Sequence, residues 1–172
     1  MSASPTDPPP ADELELRRLG PGEGRRLLLL GDIRTVKASA SETGGQLTVV
    51  EQVVEPGAGS TLHRHAYQEL FYVLAGTLEF SGVADGERVA FAAPAGAMVH
   101  AGSGVPHGYR NISSEPARFL AVMQPAGAEG FFAEVGLWLD EDADAPGETA
   151  ALSADQVRDA AVRHGIEFLP DP

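Results

Sequence analysis

Seven short apolar runs, each closed off by a turn segment, lie between Arg26 and Gln124: RLLLL (26–30), QLTVVEQVV (46–54), ELFYVLAG (69–76), TLEF (77–80), RVAFAA (88–93), AMVHA (97–101) and RFLAVMQ (118–124). Their lengths suit strands rather than helices. The segments between them, PGAGS (56–60), SGVADGE (81–87), PAG (94–96), SGVP (103–106) and SSEP (113–116), carry Gly, Pro, Ser and Asp with turn chemistry. Closely spaced short strands of this kind predict an antiparallel sandwich or barrel.

The flanks read differently. Residues 1–12 hold almost no apolar side chains, so ordering them would cost entropy that nothing offsets, and a disordered or extended arm is expected over 1–24. Beyond Gln124, Phe131, Phe132, Val135, Trp138 and Leu139 recur at helical spacing and predict a short helix. DEDADAPGE (140–148) reads as a solvated acidic loop. Its alternating aspartates look like the start of a calcium loop, but the position for a closing Glu is Ala151. Ser153 and Gln156 then form a capping box, and Gly165 follows Arg163 and His164, which predicts a terminal helix over about 154–164. The organisation expected is a barrel over 25–125 and a helical extension over 126–172.

At 172 residues one core is expected. The net charge of −13 repels phosphate backbones and anionic lipid, which argues against nucleic acid and membrane partners. With no long uninterrupted apolar stretch, the chain reads as soluble and cytoplasmic. It has no cysteine, so any metal must be held by imidazole, carboxylate or carbonyl.

Chemistry concentrates in GAGSTLHRHAYQELFYVLAG (57–76). His63 and His65 are two apart, and on a strand both imidazoles face one way, about 7 Å apart or less. Ala66, Tyr67 and Gln68 allow a tight connection to Glu69, whose carboxylate is then expected to join the histidines across a hairpin. Two His and one carboxylate suit iron, nickel, cobalt, manganese or zinc. Such a triplet also arises as ordinary surface polarity. A second segment, GAMVHAGSGVPHGYRN (96–111), adds His107 beyond a Gly-Val-Pro turn, with Asn111 four residues on.

Residues 57–76 resemble the first motif of the cupin superfamily at every specified position: Gly57, His63, His65, Glu69 and Gly76. Residues 96–111 resemble its second motif through Gly96, Gly104, His107 and Asn111, with Gly102 where a proline is usual. The resemblance covers about a third of the chain. It implies an all-β jelly-roll barrel, the double-stranded β-helix, here with a short helical C-terminal extension. It also implies one divalent metal ion held by His63, His65, Glu69 and His107, whose motifs lie on neighbouring strands. Asn111 reads as a turn or supporting residue rather than a ligand. Phe71 and Val73, on the face of Glu69, and Tyr109, on that of His107, either wall a substrate pocket or simply fill the barrel. His100 reads as a surface or satisfied histidine, and His164 as a complement to its helix dipole.

Cupins support many reactions on one metal cradle, so the fold does not name the activity. Together with GAEGFFAEVG (127–136), the chain is similar to quercetin-dioxygenase-like monocupins. That likeness implies a metal-dependent dioxygenase-like oxidoreductase acting on a small aromatic or enolic molecule, with Glu69 both binding metal and accepting a substrate proton. A non-redox cyclase or isomerase using the metal as Lewis acid is the alternative, and a non-catalytic small-molecule binder is the third reading. Members of the superfamily often dimerise through N-terminal strands, so a homodimer is implied. The apolar stripe after the last strand is expected to cover one end of the barrel, as packing or as a gate.

Overall fold

The computed structural model describes residues 16–30, 32–139 and 152–170. Residues 1–12 and the acidic segment 140–148, for which an arm and a loop were expected, lie outside this range.

Two antiparallel sheets form a jelly roll. The larger contains β1 (Arg25–Leu29), β2 (Asp32–Ala38), β3 (Thr48–Val54), β5 (Gln68–Ala75), β8 (Met98–Ala101), β10 (Ala117–Gln124) and β11 (Leu137–Trp138), in the order β11-β1-β2-β3-β10-β5-β8. The smaller contains β4 (Gly59–Arg64), β6 (Thr77–Ala84), β7 (Glu87–Pro94), β9 (His107–Asn111) and β12 (Glu167–Phe168), in the order β12-β4-β9-β6-β7. Two helices complete the described chain, α1 (Glu129–Val135) and α2 (Ala154–Arg163).

Alternation decides which face each strand buries. Along β10, Ala117, Phe119, Ala121 and Met123 are buried, while the residues between them are half-buried on the outer face. Phe71 and Phe119 from the larger sheet meet Phe80 and Tyr109 from the smaller one, with ring centroids 5.0–6.1 Å apart. This aromatic layer is the centre of the core, and the metal-type side chains lie against it. Within the smaller sheet β4 and β9 approach closely, where a Cβ on Gly59 would stand 1.9 Å from the Tyr109 carbonyl oxygen. Only glycine fits there.

Two expectations need correction. His65 and Glu69 are not joined by a hairpin, because β4 pairs with β9 and β12 in the smaller sheet while β5 pairs with β10 and β8 in the larger. Residues 65–67 cross from one sheet to the other, and the ligand-type side chains meet because the sheets face each other. The helix after β10 also stops earlier than its apolar spacing suggests. Gly136 is extended, and a Cβ on it would lie 2.6 Å from the Phe132 carbonyl oxygen and 2.7 Å from Leu27 Cδ1. Trp138 therefore lies on β11, pairing with Leu27, and the Leu139 N–H donates to the Arg26 carbonyl at 2.9 Å. The C-terminal region thus contributes a strand to each sheet as well as two helices. β2 has no counterpart among the expected runs, since Asp32, Arg34 and Lys37 break its apolar character.

The terminal helix forms as its caps predict. Ser153 accepts from the Gln156 N–H and Gln156 returns the bond, while Gly165 leaves the helix at φ +68°.

Candidate metal centre

His63 is near the end of β4 and His65 just beyond it; Glu69 is the second residue of β5 and His107 opens β9. Four ligand atoms, one from each, lie within 4.8 Å of one another. His65, Glu69 and His107 are buried and His63 is partly exposed. His63 and His107 face each other in register, and their ring centroids are 4.6 Å apart.

What orients the imidazoles is local backbone. The Nδ1 of His63 lies 2.8 Å from the Thr61 carbonyl, that of His65 2.8 Å from the Tyr67 carbonyl, and that of His107 2.9 Å from the Val105 carbonyl. A carbonyl only accepts, so each ring carries a proton on Nδ1 and turns Nε2 inward, where its lone pair is available to an ion once that nitrogen is unprotonated. Glu69 Oε2 stands 3.1 Å from His65 Nε2 and 3.4 Å from His107 Nε2. Three lone pairs and one carboxylate, already fixed in direction, are a donor set for one divalent ion. The cluster fits such an ion.

Without an ion, an Nε2–H facing Glu69 donates to its carboxylate instead. Burial pushes Glu69 up, but its bonds to His107 and His65 outweigh it and hold the carboxyl down at about 2. His63 falls to about 4, through burial first and then the neighbouring His107. Burial lowers His107 too, yet Glu69 brings it above the ordinary histidine value.

Around the four, Tyr67 stacks on His65 with centroids 3.6 Å apart, a contact the spacing of the motif did not disclose. Phe71 lies 5.8 Å from the His107 ring. Phe71, Val73 and Tyr109 are all buried in the core, and the Tyr109 hydroxyl donates to Gln52 Oε1 at 3.0 Å. On the far side, Phe168 of β12 pairs with His63 and its ring stands 6.3 Å away.

Asn111 does not reach the cluster. Its side-chain amide donates to the Val54 and Glu115 carbonyls and its oxygen accepts from the Ser113 N–H, so it ties the turn after β9. His100 is exposed on β8, 3.0 Å from Gln68 Oε1. His164 caps α2, and its Nε2 lies 2.7 Å from Glu134 of α1.

The cupin domain family matches residues 50–123. Among solved structures, oxalate decarboxylase from Bacillus subtilis is similar at 23% identity and a TM-score of 0.53, over 66% of this chain and 31% of that one. A formate complex of oxalate decarboxylase from Lactobacillus farciminis is similar at 18% identity and a TM-score of 0.52, over 59% and 31%. An oxalate oxidase in complex with glycolate matches at 18% identity and a TM-score of 0.49, over 55% and 51%. This chain thus spans about half the length of the oxidase and about a third of the decarboxylases. No curated protein matches the sequence significantly.

Proposed function

We propose, from the match of residues 50–123 to the cupin domain family, a metal-dependent dioxygenase-like oxidoreductase acting on a small aromatic or enolic molecule. The observation that carries the reading is the commitment of all three imidazole Nδ1 atoms to backbone carbonyls beside an ionised Glu69. His63, His65, Glu69 and His107 would hold the ion. When bound, a divalent ion supplies Lewis acidity, and a redox-active one adds one-electron chemistry.

The chain supplies the rest. Glu69 is ionised at neutral pH and is the proton acceptor of the site. Its low pKa makes it a weak base, which suits an acidic hydroxyl such as an enol or phenol better than an alcohol. Phe71 and Tyr109 give the interior an apolar wall that excludes water from the carboxylate. Lewis-acid isomerisation or cyclisation uses the same residues and is the second reading.

Oxygen consumption separates the two. Protein reconstituted separately with iron, nickel, manganese, cobalt and zinc, and analysed for metal content, is expected to hold about one ion per chain. Loss of an enolic or flavonol substrate should require oxygen. Conversion that continues unchanged without oxygen would move the assignment to the non-redox reading, and saturable binding without product would leave a binder.

A further inference from the structure

β2 turns charge into the barrel. Arg34 pairs in register with Leu27 on one side and Gln52 on the other, both buried in the interior, and Gln52 in turn faces Phe119. The guanidinium lies over the ring of Phe132, 5.2 Å from its centroid, and the buried Nε has no hydrogen-bond partner among the described residues. The nearby carboxylate of Asp32 accepts at Oδ2 from Gln52 Nε2 at 3.1 Å. Arg34 as a whole is half-buried, but a buried donor atom without an acceptor is costly and calls for an explanation.

An explanation is visible from the neighbours. Gln52, the partner of Arg34 in register, accepts from the Tyr109 hydroxyl at 3.0 Å, so β2 brings Arg34 beside that hydroxyl. Tyr109 in turn shares its strand face with His107. The interior beside Tyr109 is therefore bordered by a planar cation on β2 and by His107 along β9. With an ion in the cluster, positive charge exceeds the two carboxylates of Glu69 and Asp32.

We propose that Arg34 is the anion-recognising residue of this site, seating the carboxylate or enolate of a small substrate whose other end faces His63, His65, Glu69 and His107. The inference rests on the metal-site reading above and narrows its substrate class to anions. Arginine presents a rigid fork of donors that matches a planar carboxylate, and Phe132 beneath it fixes the plane of that fork. Gln52, tied to both Asp32 and Tyr109, holds the surrounding hydrogen bonds in place.

Zinc-loaded protein, which cannot run redox turnover, isolates this claim from the oxidoreductase reading. Benzoate and benzamide have the same ring and nearly the same shape but differ in charge. Titrated calorimetrically, the wild type should bind benzoate at least about 10-fold tighter than benzamide, the scale of one charge-assisted pair. Arg34→Met should reduce that preference to within about 2-fold at unchanged zinc content, and Arg34→Lys should keep part of it. Arg34→Gln, which stays polar, serves if the Met variant does not fold. Equal binding of the two probes by the wild type, no saturable benzoate binding, or an unchanged benzoate preference in both uncharged variants at full zinc would each overturn the assignment. Absence of zinc from the wild type would instead defeat the metal-site reading, and metal-free protein titrated alongside then reads Arg34 alone.

Discussion

Glu69 is where the chemistry of single residues can be tested most sharply. Three neutral imidazoles still offer a divalent ion three nitrogens, whereas only the carboxylate adds negative charge and a proton acceptor. Glu69→Gln should therefore lower metal content modestly and turnover by roughly 10²-fold or more, as measured at equal metal loading. Near-normal turnover would reduce Glu69 to a ligand. His63 makes a different prediction, for metal-free protein. Its folded pKa of about 4 lies below the ordinary 6.5, so between these values the unfolded chain binds the extra proton and stability falls as pH falls. His107, raised above 6.5, changes its contribution only on the alkaline side of that value, and Glu69 begins to lose its contribution only below 4.5. Melting temperatures of the metal-free protein should thus drop from pH 6.5 to pH 4, and His63→Gln should flatten the slope. An equal slope in the variant would mean another group is responsible.

At the scale of elements, α1 is held by what it buries. Phe131 and Phe132 are almost fully enclosed, and Phe132 also supports Arg34. Phe132→Ala should cost about 3–5 kcal/mol, lower the melting temperature and leave metal content intact. If α1 instead acts as a gate, the same variant would change substrate affinity while the melting temperature held. β11 and β12 show why the C-terminal region is part of the fold rather than an appendage. Each closes the outer edge of a sheet that would otherwise expose unpaired backbone, β11 along β1 and β12 along β4. Because β12 sets Phe168 against His63, the metal-type cluster is completed by residues more than sixty positions beyond its last member.

For the whole molecule, the homodimer implied by the superfamily remains a proposal, and the outer face of the larger sheet supports it. Tyr72 and Met98 are neighbours in register there and strongly exposed, with half-buried Leu70 and Leu120 beside them. Light scattering should give twice the 18.0 kDa chain mass, and Met98→Glu should return it to the monomer. A monomeric wild type would end the idea. No helix among the described residues is long and apolar enough to cross a membrane.

Local information was sufficient for a good part of this protein. Apolar runs bounded by Gly and Pro announced β1, β3, β5, β6, β7, β8 and β10, and a capping box the terminal helix, because strand period, turn chemistry and capping are written within a few residues. The spacing of His63, His65 and Glu69 announced a metal-type cluster for the same reason. Three things depended on contacts distant in sequence. The sheets had to face each other before His65 and Glu69 could meet, since no hairpin joins them. Trp138 left its helical stripe because Gly136 packs against Leu27, more than a hundred residues away. And β2, whose charges hid it as a strand, became one because β1 and β3 flank it and its Asp32 and Arg34 find the barrel interior rather than water. Pattern reads which side of a strand is apolar; only tertiary structure decides when a charged side is the one turned inward.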